Sequence, residues 1–112
     1  MEIRKLYING RFFGSVGIAD SFHLRLRGLL GRDFSRFDGL LIRPCADIHT
    51  MFMKYPIDVL FVNNAGEIVR IAAQVKPWVP FIGAKNSKVV IELPAGRAEE
   101  WALHAGDCVS IQ

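Results

Sequence analysis

With 112 residues, 51% of them hydrophobic, the chain is long enough to form one domain over residues 1–112 and to bury roughly two-thirds of its unfolded surface in a core. Its longest apolar runs are only a few residues, which excludes the roughly 20 needed for a membrane-spanning helix, and Glu2, Arg4 and Lys5 stand where a secretion signal would need its apolar centre, so a cytoplasmic location is expected. The net charge of +3 is small, and the arginines between Arg25 and Arg43 are mixed with Asp33 and Asp38, which reads as a solvated face with no nucleic-acid partner.

Ile3 to Ile8 alternates imperfectly, and Asn9-Gly10 is a strong signal for a tight turn into a returning strand over Arg11 to Ile18. Asp20 or Ser21 caps a helix whose apolar stripe is Phe22, Leu26, Leu29 and Leu30, with a close-packing glycine at Gly28 and a stop at Gly31. After a loop over Asp33 to Asp38, Gly39 to Arg43 has the unbroken apolar character of a strand covered on both faces, ended by Pro44. Ile57 to Val62 is the best strand of the central region. Asn63 to Gly66 then turns the chain into Glu67 to Val75, a second hairpin. Pro77 and Pro80 bracket Trp78 and forbid a central strand, so Lys76 to Asn86 is expected as an ordered loop over the sheet. Lys88 to Leu93 is a strand, and Pro94 to Gly96 a turn. Arg97 to His104 reads as a short helix burying Ala98, Trp101 and Ala102 and ended by Gly106. Asp107 to Ile111 closes the chain as a strand. The fold class is therefore mainly β (α+β): a compact antiparallel β-sandwich or partly open barrel with two short helices.

The reactive residues gather between Cys45 and Val62. In an extended backbone Cys45, Asp47 and His49 share one face. They supply a thiol, an acid and an imidazole, the parts of a nucleophile, an orienting group and a base. Cys45 and His49 would lie roughly 13 Å apart along such a strand, so direct contact requires the chain to bend. The same three residue types are zinc-competent, but no CxxC or HxxH spacing reinforces them, and no metal or cofactor is assigned. Cys45 and Cys108 read as free thiols. The structural alternative makes Cys45 a small core residue, lets Asp47 or Thr50 fix a turn through side-chain to backbone hydrogen bonds, and makes His49 an interior imidazole.

One run is specific enough to name. Ile48-His-Thr-Met-Phe-Met-Lys-Tyr-Pro-Ile-Asp58-Val-Leu-Phe61, with Gly28 to Arg32, Gly39 to Ile42, Ile91 to Gly96 and Gly106-Asp107, resembles the "domain of unknown function 192" family of bacteria and archaea. The resemblance implies a compact, mostly β domain. It supplies no activity, cofactor or catalytic residue to carry over.

From the residues themselves, Asp58 shares its face with Leu60 and Val62, and a buried carboxylate needs a partner, for which His49, Lys54 or Arg27 are candidates. A link between His49 and Asp58 is the expected arrangement. Glu92, between Ile91 and Leu93, either joins Asp58 as a second buried acid or is solvated at an edge. The leading functional expectation is a small ligand-binding β domain, with a site built from His49, the apolar lining Met51, Phe52 and Met53, Lys54 and Asp58 and roofed by Trp78, taking a small polar or anionic molecule or a peptide segment. Two alternatives stand beside it. One is a hydrolase or acyl-transfer enzyme using Cys45 or a metal-bound water with His49 and Asp47 or Asp58; the other is a protein interaction module using Trp78, Phe81 and a sheet edge. Oligomeric state is open.

Overall fold

Asn9 and Gly10 both take the left-handed backbone conformation, at φ 52° and 80°, which a two-residue turn between twisted strands requires. They fold β1 (Glu2–Ile8) back along β2 (Arg11–Ala19). The structure, a computed structural model, describes residues 1–27 and 33–112, without the side chains of Leu26 and Arg27. Ser21 begins α1 (Phe22–Arg27) as its cap, its Oγ accepting from the Leu24 N–H at 3.2 Å. Phe22 is exposed and Leu24 packs inward instead, so the expected apolar stripe is displaced at its start. Gly28, Leu29, Leu30 and the stop at Gly31 lie outside the described residues, as does the Leu26 side chain.

β3 (Gly39–Ile42) is followed by the short β4 (Asp47–Ile48), then β5 (Ile57–Val62), β6 (Ile68–Val75), a short β7 (Ile82–Gly83) and β8 (Val89–Pro94). The helix α2 (Arg97–Glu100) and β9 (Val109–Ile111) complete the chain. Seven strands form one sheet in the order β6-β5-β8-β3-β2-β1-β9, while β4 and β7 pair separately. Pairing is antiparallel except between β2 and β3, whose parallel register requires the crossover that residues 20–38 supply. The sheet curls until its two edges meet: Glu67 bridges Cys108, the Ile68 N–H donates to the Asp107 carbonyl and the Val109 N–H to that of Gly66. The result is a curled half-barrel.

Its central strands are buried on both faces, as their largely apolar sequences favour, with Asp58 in β5 and Glu92 in β8 as buried exceptions. Leu41, Leu60, Val62, Ile91 and Leu93 face the concave interior. Leu40, Ile42, Val59, Phe61 and Val90 face outward beneath a cover of loops to which Phe34, Cys45, Ile48, Tyr55 and Val79 contribute. The second helix is shorter than expected. Ala102 takes the left-handed conformation at φ 53°, and the Ala102 and Leu103 N–H groups return to the Glu99 and Ala98 carbonyls, the hydrogen-bond pattern that ends a helix. An alanine in the position usually held by glycine gives no local sign of that stop. Among the described residues no helix is long and apolar enough to cross a membrane.

Candidate functional site

The outer cover is organised by Thr50, which is fully buried. Its Oγ1 donates to the Lys76 carbonyl at 2.6 Å and accepts from the Val79 N–H at 2.9 Å. Its backbone N–H donates to the Val79 carbonyl, and its own carbonyl accepts from the Trp78 and Met53 N–H groups. One threonine therefore joins the segment 50–53 to the segment 76–79. Each segment contains an aromatic residue with positive φ, Phe52 at 66° and Trp78 at 69°, a conformation that costs a bulky side chain energy and persists only when its surroundings enforce it. The two rings meet at a centroid distance of 4.8 Å and an interplanar angle of 59°. Phe52, Trp78 and Phe81 remain 67%, 57% and 68% exposed. Large apolar side chains held in solvent on a fixed backbone are costly unless something covers them.

Charge is uneven around these loops. Between Ile48 and Ile91 stand Lys54, Arg70, Lys76, Lys85 and Lys88, and the acids are Asp58, which is buried, and Glu67. In the net charge of the whole chain this basic stretch is offset by Glu92, Glu99, Glu100 and Asp107.

The structure separates the residues expected to form one site. Asp58 is 0% exposed and faces the concave side, where its Oδ2 accepts from the Gly96 and Ala98 N–H groups at 3.0 and 2.8 Å and its Oδ1 from the Gln74 N–H at 2.8 Å. It thus caps α2, whose own cap residue Gly96 has no side chain to do so, and holds the irregular end of β6, where Gln74 has φ 50°. The expected link to His49 is not made. His49 is exposed on the outer cover, and its Nδ1 accepts from the Met51 N–H at 3.1 Å; the sheet lies between the two groups. Met53 is a core residue of the outer cluster, Met51 is half-buried, and Lys54 is exposed.

Nor is the Cys45 to His49 segment extended throughout. The Cys45 thiol donates to the Asp47 carbonyl at 3.0 Å, turning the chain back on itself, while Asp47 is exposed. Burial pushes the Cys45 thiol up to about 11, so it stays protonated at neutral pH and is a poor nucleophile there. Among the described residues no three His, Cys, Asp or Glu side chains gather as a metal-binding group.

Glu92 is the second buried acid, on the outward face of the sheet and so on the opposite side from Asp58. It is 3% exposed, its neighbours across the sheet are Leu40 and Val59, and among the described residues its Oε1 has no hydrogen-bond partner. Burial pushes its carboxyl up to about 8. Sequence reasoning left both orientations open because strand order, which puts β8 at the centre, cannot be read from β8 alone.

The fold and its loops define a class: a curled β half-barrel whose convex face is roofed by loops carrying solvent-facing aromatics. Within that class, the chain belongs to the DUF192 family, described as "Uncharacterized ACR", whose pattern matches residues 5–111. A UPF0127 protein of Pyrococcus furiosus is 32% identical over 97 residues, 82% of each chain. One from Pyrococcus horikoshii is 34% identical over 99 residues, 84% of each. The chain also matches 64% of a longer UPF0127 protein from Thermococcus sibiricus, at 32% identity over 99 residues. Two crystal structures share the fold. A protein of unknown function from Novosphingobium aromaticivorans superposes with TM-score 0.80 at 22% identity, covering 96% of this chain and 82% of that one. A Sinorhizobium meliloti protein, described as a candidate transcription regulator, superposes with TM-score 0.86 at 21% identity, covering 98% and 94%. At such identities the likeness extends to the fold alone.

Proposed function

We propose that this domain is a protein-docking module that holds an acidic, apolar-bearing segment of a partner against Phe52, Trp78 and Phe81. The observation that carries the reading is the pair of exposed rings in tilted contact, fixed at left-handed backbone positions by the buried Thr50. Aromatic side chains that are already ordered lose little entropy on binding and serve well as anchors. The acid-poor surroundings, with Lys54 and Lys76 in the same two loops, favour a negatively charged partner through complementarity and steering. A protein segment is favoured over a lipid surface because β6, which pairs with β5 on one side, runs directly into the Trp78 loop. Beyond the seam at Ile68, its outer edge presents backbone groups that an extended peptide can pair with and a lipid cannot. A small-ligand site centred on both His49 and Asp58 has no such support, since these residues face opposite sides of the sheet.

The test uses a randomised peptide display library against the wild-type chain, Trp78→Ala and Phe12→Ala, the last removing an exposed ring outside the loops. Wild type is expected to enrich peptides that combine Asp or Glu with aromatic or aliphatic residues. Trp78→Ala should bind them about tenfold or more weakly, the effect of losing an anchor worth roughly 1.4 kcal/mol or more, while Phe12→Ala binds normally. Unchanged affinity in Trp78→Ala, or binding to anionic phospholipid vesicles with no peptide enrichment, would overturn the proposal.

A further inference from the structure

The half-barrel has two unlike ends. At the Ile57 and Pro94 end, α2 and Asp58 act as a stopper. At the other end, where β5 finishes at Val62 and β8 begins at Val89, a cavity of about 160 Å³ opens between these strand ends and β9. Its apolar wall is formed by Leu41, Val62, Val89, Val109 and Ile111, all part of the inner cluster. Its rim is polar, with Arg43, Asn64 and Ser110.

The rim has donors to spare. Arg43 lies 3.8 Å from Asp20, with both side chains substantially exposed, a long and solvent-screened pairing that contributes little. Its planar guanidinium can instead present two parallel N–H groups to a two-oxygen anion. Asn64 and Ser110 are exposed and add an amide and a hydroxyl beside it. The Asn63 side chain is already engaged, accepting from the Ala65 and Glu67 N–H groups.

We propose that this mouth binds a small apolar monocarboxylate, its tail against the inner cluster and its carboxylate on Arg43. The volume sets the size, because an apolar cavity of about 150 Å³ admits benzene, so one ring or a short branched chain fills the space. The rim sets the headgroup: a single guanidinium with two neutral donors, and Asp20 nearby, matches one negative charge better than a phosphate dianion.

Sodium benzoate is the probe, followed by methyl and amide NMR shifts on the wild-type chain, Arg43→Gln, Arg43→Lys and Asp20→Asn, with benzyl alcohol as an uncharged ligand of similar size. In wild type, saturable shifts are expected at Val62, Val89 and Val109. Arg43→Gln should weaken benzoate about tenfold and leave benzyl alcohol unaffected. Arg43→Lys should fall between, keeping the charge without the planar fork, and Asp20→Asn should tighten benzoate by removing the competing acid. The Lys and Asn variants keep the test decisive if Arg43→Gln folds poorly. No saturable shift at these valines, equal benzoate affinity in wild type and the Arg43 variants, or benzyl alcohol binding as tightly as benzoate in wild type would each overturn the assignment.

Discussion

Two buried carboxylates show how far identical chemistry is governed by surroundings. Asp58 accepts three backbone N–H bonds, so its burial is matched by donors and it organises the chain around it. Glu92 is surrounded by Leu40, Val59 and the outer cluster, and its carboxyl is raised to about 8 by burial. In the unfolded chain the same carboxyl ionises near 4.5. Between these values the unfolded state releases a proton that the folded state keeps, so stability falls as pH rises across that window and is unaffected by Glu92 well below it. Glu92→Gln keeps the shape and cannot ionise. It should match wild type near pH 4 and become more stable than wild type by on the order of a few kcal/mol by pH 8, measured by urea denaturation at pH 4, 6 and 8. Parallel stability profiles for the two proteins would show that Glu92 ionises freely in the fold.

At the scale of elements, the Thr50 side chain reinforces the backbone bonds that Thr50 makes to Trp78 and Val79 across the loop cover. Thr50→Val preserves shape but leaves the Lys76 carbonyl and the Val79 N–H without their side-chain partner in a half-buried place. The expected cost is about 1 kcal/mol, seen as a lower denaturation midpoint, together with faster amide exchange at Val79, whose N–H loses its partner; if exchange there is unchanged, the backbone bonds of Thr50 hold the two loops without its hydroxyl. The elements themselves were largely legible. Asn9-Gly10 specified its turn, the unbroken apolar run at Gly39–Ile42 specified a strand covered on both faces, Ile57–Val62 read as a strand, and the prolines beside Trp78 specified a loop. What escaped was information held in tertiary geometry. The left-handed Phe52 and Ala102 carry no local mark, because neither is glycine or asparagine: Phe52 was legible as part of an apolar lining, but not its solvent-facing contact with Trp78, nor the early end of α2. Thr50 was legible as a residue able to fix a turn, although its partners are about 26 to 29 positions away. The pairing of His49 with Asp58 failed for a geometric reason. Alternation along β5 correctly turned Asp58 to the face of Leu60 and Val62, but no local pattern shows that this face lies across the sheet from His49.

For the whole molecule, the decisive feature is the seam where the first and last segments meet. The Asn9 Oδ1 accepts from the Cys108 N–H at 2.9 Å, its Nδ2 donates to the Asp107 carboxylate at 3.1 Å, and its backbone N–H donates to the Cys108 carbonyl at 2.8 Å. The same asparagine that makes the first hairpin turn therefore fastens the C-terminal strand, which in turn bridges Glu67 at the opposite edge of the sheet. Curling, and with it the enclosed interior, rests on contacts between residues about a hundred positions apart. Asn9→Gly keeps the turn, since glycine accepts the positive φ at little cost, and deletes only the side-chain bonds. It should lower global stability by about 1–2 kcal/mol and raise amide exchange at Cys108, Val109 and Ile68 well before the central strands β5 and β8 respond, because seam opening is a local event of lower free energy than global unfolding. Hydrogen exchange followed residue by residue checks this. If Cys108 and Ile68 exchange only in step with Leu60 and Ile91, the seam does not open separately and the half-barrel unfolds as one unit.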